Sequence, residues 1–221
     1  MSSSTATHPS ILHGKRFPTC RCNYTYFHFC VSSLIHSLLL GLCLIGQSHA
    51  ADIQKIEIQY EDNTYSISFR AILSADTNTV EHIVTNHANL KTLSSRVTES
   101  EVLSGIDDEN VKLKLVLRPC VLFYCKTLTK TSDVEVTHNL GTSISYIADP
   151  EHSSFRIANE LLTIPKNGER TQLNYTATIV PGFRVPPVIG PWLVKRVLRK
   201  ELIEVGENVE KQASGEFRNT Q

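Results

Sequence analysis

Along residues 54–75, QKIEIQYEDNTYSISFRAILSA, apolar and polar positions alternate. Ile56, Ile58 and Tyr60 share one face. After Asp62-Asn63, Tyr65, Ile67, Phe69, Ala71 and Leu73 share a face against Thr64, Ser66, Ser68 and Arg70. A period of two predicts a half-buried strand. Asp76 and Thr77 follow as N-cap candidates, because their side-chain oxygens can accept the free N–H groups of a first helical turn. Val80, Ile83 and Val84 then recur at helical spacing, and Leu90 and Leu93 mark a second short helix.

From about residue 96 the chain reads as a meander. RVTESEVLS is a strand closed by a turn at Gly105-Ile106-Asp107-Asp108. VKLKLVLR puts Leu113, Leu115 and Leu117 on one face. After PCVLFYC comes KTLTKTSDVEVTHN, rich in the Thr and Val that strands prefer. TSISYIA, SFRIANELLTI and RTQLNYTATIV complete six strands, separated by turns at Asn139-Leu140-Gly141, Asp149-Pro150-Glu151 and Pro165-Lys166-Asn167-Gly168. Pro181-Gly182 breaks the chain. Pro191, which has no N–H to leave unpaired, suits the first turn of a last helix. Val194, Val197, Leu198, Leu202, Val205 and Val209 follow its 3.6 period, with Lys195, Arg196, Lys200, Glu201, Glu204 and Glu207 on the other side. The predicted class is α+β: about seven antiparallel strands, two short helices after the first, and a long amphipathic C-terminal helix buried against the concave face of the sheet. Any space left between them is a cavity. Residues 214–221 form a polar tail.

The first fifty residues differ from the rest. They carry Lys15, Arg16 and Arg21 and no acidic residue, an apolar run over 34–45 (LIHSLLLGLCLI), and the small-residue exit Ser48-His49-Ala50. This describes a secretory signal cleaved after Ala50. The run is shorter than the roughly 20 residues of a spanning helix, and an uncleaved anchor over 34–45 is the alternative. The cluster CRCNYTYFHFC resembles a metal site on paper but falls inside the leader. Removing three of the 22 basic residues leaves 19 against 22 acidic ones, net −3. That balance excludes a nucleic-acid binder driven by phosphate neutralisation. The remaining 171 residues suffice for one domain, 51–213, with a real core.

This element order resembles the helix-grip fold of the START and birch-pollen-allergen superfamily, in its polyketide cyclase/dehydrase and coenzyme-Q-binding branch. At the C-terminal end the resemblance is carried by Thr171, Leu173 and Tyr175 in a T-x-L-x-Y strand, a break at Pro186 and Pro187, and Pro191 opening a helix with Leu spacing. At the N-terminal end it is carried by YSISFRAILSADTNTVEHIVTNHANLKTL; a position often Asp-Tyr in that family is Asn86-His87 here. The resemblance implies a pocket for a hydrophobic small molecule of quinone, isoprenoid or fatty acyl class, bound or carried without chemistry. It does not imply an enzyme, since fold alone does not fix function. A cyclase- or dehydratase-type enzyme and a packed protein-interaction module are the alternatives.

Within such a fold Leu115, Leu117, Tyr146, Asn159, Tyr175, Val188 and Trp192 are the candidate ligand-binding residues. Alternating turns of the meander bring PCVLFYC, PGFRVPP and the start of the last helix to one end. Val121, Leu122, Phe123, Tyr124 and Phe183 then form an apolar rim that shields a ligand or touches a membrane. Cys120 and Cys125, the two cysteines outside the leader, bracket the loop. On a straight strand they would lie about 17 Å apart, whereas a disulfide needs Cα atoms within about 7 Å. Two readings stay open: a disulfide-closed hairpin in an exported protein, or one bulged strand with free thiols and Leu122 and Phe123 in the core. Glu160 and Arg156, with Ala158 between them, are read as sharing one strand face, inside the cavity or outside it. His82 and His87, five apart, lie on different helical faces and do not share a metal; His138 and His152 fall in or near turns. No catalytic residue, cofactor or metal motif emerges.

Overall fold

The computed structural model describes residues 50–105, 109–121, 124–166, 170–184 and 190–215. The leader with its 34–45 run, together with Leu122, Phe123 and Val188, lies outside the described residues. In chain order the elements are β1 (Asp52–Glu61), β2 (Thr64–Leu73), α1 (Thr77–Thr85), a 3-10 helix (His87–Thr92), β3 (Val97–Gly105), β4 (Asn110–Leu117), β5 (Cys120–Val121), β6 (Tyr124–Cys125), β7 (Leu128–Thr137), β8 (Gly141–Ala148), β9 (Phe155–Pro165), β10 (Thr171–Pro181) and α2 (Gly190–Ala213).

Eight strands form one antiparallel sheet in the order β1-β2-β10-β9-β8-β7-β4-β3, and β5-β6 form a separate hairpin. The α+β architecture with a long last helix is as expected; the strand count is one higher. Residues 54–75 are a hairpin rather than a single strand. Asp62 and Asn63 take φ of 46° and 63°. Short polar side chains tolerate this left-handed region. Two such residues in succession make a turn whose twist matches the flanking strands, so the chain reverses and β1 is added as an edge.

The periodicities do the rest. Tyr65, Ile67, Phe69, Ala71 and Leu73 of β2 are buried, as are Leu113 and Leu115 of β4 and Val134 and Val136 of β7. Asp76 caps α1, its Oδ1 accepting the Thr79 N–H at 3.0 Å. α2, 24 residues long, lies against β1, β2 and α1. Val209 is buried in the core, with Leu202 and Val205 packed against it. At Gly206 the helix comes close to the sheet: a Cβ there would stand 3.2 Å from Phe69 Cζ and 3.3 Å from Ile53 Cδ1. No helix among the described residues is long and apolar enough to cross a membrane.

Candidate functional site

Between sheet and α2 lies a cavity of about 390 Å³. β2, β4, β7, β8, β9 and β10 line one wall; α2 supplies the other through Val197, Leu198, Glu201, Leu202 and Val205, and residues around the 3-10 helix close a side with Leu90 and Leu93. Of the candidate ligand-binding residues, Leu115, Leu117, Tyr146 and Tyr175 line this cavity. Asn159 does not: side chains alternate along β9, so with Ala158, Glu160 and Leu162 turned inward, Asn159 is exposed on the outer face. Trp192 does not either; it is 65% exposed. It precedes Val194 by two residues, roughly 200° around the helix, and so points away.

At one end stand Val121, Tyr124 and Phe183, three of the five expected rim residues. Tyr124 lines the cavity and is also 40% exposed, so the cavity approaches the surface here. The segment is a disulfide-closed hairpin. Cys120 and Cys125 pair across β5 and β6 with S–S at 2.02 Å and Cα atoms 4.1 Å apart. The Lys126 N–H closes a further rung to the Pro119 carbonyl at 3.2 Å. Lys126 Nζ stands 4.9 Å over the Phe183 ring, and Phe183 meets Phe155 edge to face at 6.5 Å.

Phe155 reaches the cavity through a β-bulge. Val180 faces Ile157 but Pro181 faces Phe155, so Arg156 is the extra residue. One unpaired residue reverses the in–out alternation on either side of it. Arg156 is therefore exposed while Glu160 lines the cavity. The two do not share a face, and the alternatives left for them are resolved separately: Glu160 inside, Arg156 outside.

Glu160 is ion-paired with Lys130, Oε1 to Nζ 2.5 Å, with side chains only 13% and 8% exposed. Tyr146, its neighbour on β8, lies with its ring 5.6 Å below the Lys130 ammonium. The Tyr175 hydroxyl donates toward Glu160, and burial followed by Glu160's charge raises its pKa well above the usual phenol range. Burial and then the Glu160 charge raise Tyr146 likewise. Both phenols stay protonated.

A second polar group sits on the helix side. Arg96 Nη1 pairs with Glu201 and, at 3.2 Å, with Glu204; the Ser94 hydroxyl donates to Glu201, and the Ser95 N–H to Glu204 at 2.7 Å. Further along α2, Asn208 donates to the Leu93 carbonyl at 3.0 Å and Gln212 to the Thr92 hydroxyl at 2.9 Å. These bonds fasten the helix to residues 92–96. Glu201 thus lies on the cavity face of α2, not on the polar side. Its spacing of four from Val197 and three from Leu198 carried that signal. Lys130 was also missed, although it shares the parity of Leu128, Ser132 and Val134, all buried. His87 is buried with neither ring nitrogen hydrogen-bonded, its ring 6.0 Å from and perpendicular to that of Tyr146. Burial lowers its pKa. No cluster of potential metal ligands occurs among the described residues.

In sequence the chain matches no known family model and no curated protein. In structure it is similar to the human StAR-related lipid transfer protein 5 (12% identity, TM-score 0.53, covering 89% of this chain and 100% of that one). It is also similar to the Zhui aromatase/cyclase of Streptomyces sp. R1128 (14%, TM-score 0.56, 71% and 97%), and to a STAR-related lipid transfer protein of Xanthomonas axonopodis (12%, TM-score 0.55, 72% and 98%). The antiparallel sheet gripping a C-terminal helix is therefore the helix-grip fold that these structures share.

Proposed function

We propose that the protein binds and carries a hydrophobic, lipid-like small molecule between sheet and α2 and performs no reaction on it. The observation that carries this reading is the apolar cavity of about 390 Å³, the size class of small-ligand sites. Solved structures of the same fold include two named as lipid transfer proteins. An aromatase/cyclase also shares the fold, and the carboxylates this cavity would offer such chemistry are Glu160 and Glu201, the latter already held by Arg96 and Ser94. A general base needs an uncommitted lone pair directed at substrate, whereas Glu160 already accepts from Lys130 and has the Tyr175 phenol turned toward it. The carrier reading also fits better than a packed interaction module, whose core would leave no such space. An exported location is part of the proposal, supported by the leader pattern and by a disulfide of the kind that persists in oxidising compartments. So is peripheral membrane contact at the hairpin end, where Tyr124 is exposed.

The test is non-denaturing mass spectrometry of the full chain, expressed into an oxidising compartment and purified without detergent. The expected spectrum shows a protein beginning at Ala51 with a bound species of lipid-like mass. A clean apo mass after incubation with membrane extract would overturn the carrier. A retained leader would overturn cleavage after Ala50.

A further inference from the structure

We propose that the molecule carried is uncharged, and that the Tyr146 hydroxyl holds it by donating a hydrogen bond to a single carbonyl, ether or alcohol oxygen. This rests on the carrier reading and names the chemical class it requires.

Among the described residues three cations line the cavity. Lys130 is committed to Glu160 at 2.5 Å. Arg96 is committed to Glu201 and Glu204. Lys126 stands at the hairpin end over Phe183, away from the interior pair. No uncommitted cation therefore faces the deep part of the cavity among the described residues. An ionised carboxylate or phosphate entering it would be stripped of water, would meet the negative Glu160 and Glu201, and would have to break an existing pair to be neutralised. A cationic head group meets the same obstacle from the other side, since both carboxylates already hold a cation.

What remains is hydroxyls: among the described residues Tyr65, opposite Ile179, and Tyr124 stand toward the hairpin end, and Tyr146 is the one beside the interior ion pair. Tyr146 is only 7% exposed and lines the cavity. Its oxygen has no hydrogen-bond partner among the described residues, in contrast to Tyr175, which is directed at Glu160. It is not sealed in protein either, since the buried atoms lacking a partner are those of His87 and Ser132. It opens onto the cavity. A desolvated hydroxyl without a partner is costly, and a ligand oxygen would satisfy it. Burial and the neighbouring carboxylate keep the phenol protonated, which makes it the donor. The apolar walls take the rest of the molecule. Of the lipid classes compatible with the fold, this selects ketones, quinones, esters and alcohols over free fatty acids and phospholipids.

The test is a binding series at mildly alkaline pH on the full, delipidated protein. The probes are palmitate and the alcohol, methyl ketone and alkane of equal chain length, each quantified by non-denaturing mass spectrometry. The expected order places ketone and alcohol about tenfold or more above palmitate. Tyr146→Phe lowers ketone binding by about tenfold and leaves alkane binding unchanged. Palmitate bound as tightly as the ketone overturns the inference on wild-type protein alone, whatever the variant does. Equal losses of ketone and alkane in Tyr146→Phe also overturn it, while leaving the carrier intact. Failure of wild type to retain any of the four overturns both.

Discussion

Lys130 and Glu160 are a pair whose parts are worth less than nothing alone. Lys130→Met strands a carboxylate in an apolar cavity and is expected to cost about 3–5 kcal/mol. Combining it with Glu160→Leu removes both charges and restores most of that loss. Chemical denaturation of the three variants checks this; a double variant no better than the single one would mean that solvent already screens the pair. His87 supplies a pH dependence of known sign. Its folded pKa lies below the unfolded value of 6.5. As pH falls through 6.5 the unfolded chain takes up a proton that the folded chain refuses, so stability drops. Glu204, held below its ordinary 4.5 by hydrogen bonds from Ser95 and the charge of Arg96, loses its contribution only at lower pH, so the two windows separate. Between about pH 7.5 and about pH 5.5 the urea midpoint of wild type should fall more than that of His87→Phe, which keeps a ring against Tyr146. Parallel falls would show that His87 is not the group responsible. At this scale the sequence was half legible. Tyr146 and Tyr175 could be placed because strand alternation carries them inward. Lys130 and Glu201 were overlooked because charge argues for solvent even where period argues for the interior.

α2 is tied down by close packing at one point and by polar bonds along one side. Gly206 is where its backbone approaches β2 and β1. Gly206→Leu must displace Phe69 and Ile53 and is expected to destabilise by about 1–3 kcal/mol despite the gain in helix propensity; thermal or urea unfolding reads it. No loss would mean that the helix can slide. The β5–β6 hairpin is the opposite kind of element, held covalently and by two rungs. Replacing Cys120 and Cys125 by Ser removes a constraint worth about 2 kcal/mol for so short a loop. The loss should be local, with amide exchange accelerated at Val121 and Tyr124 before the main sheet responds. α2 and the alternation of β2 were readable because each follows its own period. The bulge at Arg156 was not, since it exists only in the register between β9 and β10. Nor was the reversal at Asp62-Asn63, whose two residues lack the glycine that usually announces such a turn.

For the whole molecule, the membrane contact proposed for the hairpin end can be tested apart from stability. Val121→Ser with Tyr124→Ser should reduce co-sedimentation with lipid vesicles while shifting the unfolding midpoint little, because Tyr124 is already 40% exposed. Unchanged sedimentation would restrict these side chains to the ligand.

The strand order also has a consequence in time. β2 ends at Leu73, yet its partner across the sheet is Thr171 of β10, synthesised about 100 residues later. Until β10 and α2 arrive, only α1 and the 3-10 helix are there to cover the inner faces of β4, β7 and β8, and the cavity between sheet and α2 is not yet enclosed. Cys120 and Cys125, only five residues apart, can meet as soon as both have emerged. The clasp can be locked early in the life of the chain, whereas the vessel it closes exists only once the last helix is in place; on the proposed carrier role, loading belongs to the finished protein and not to the growing one.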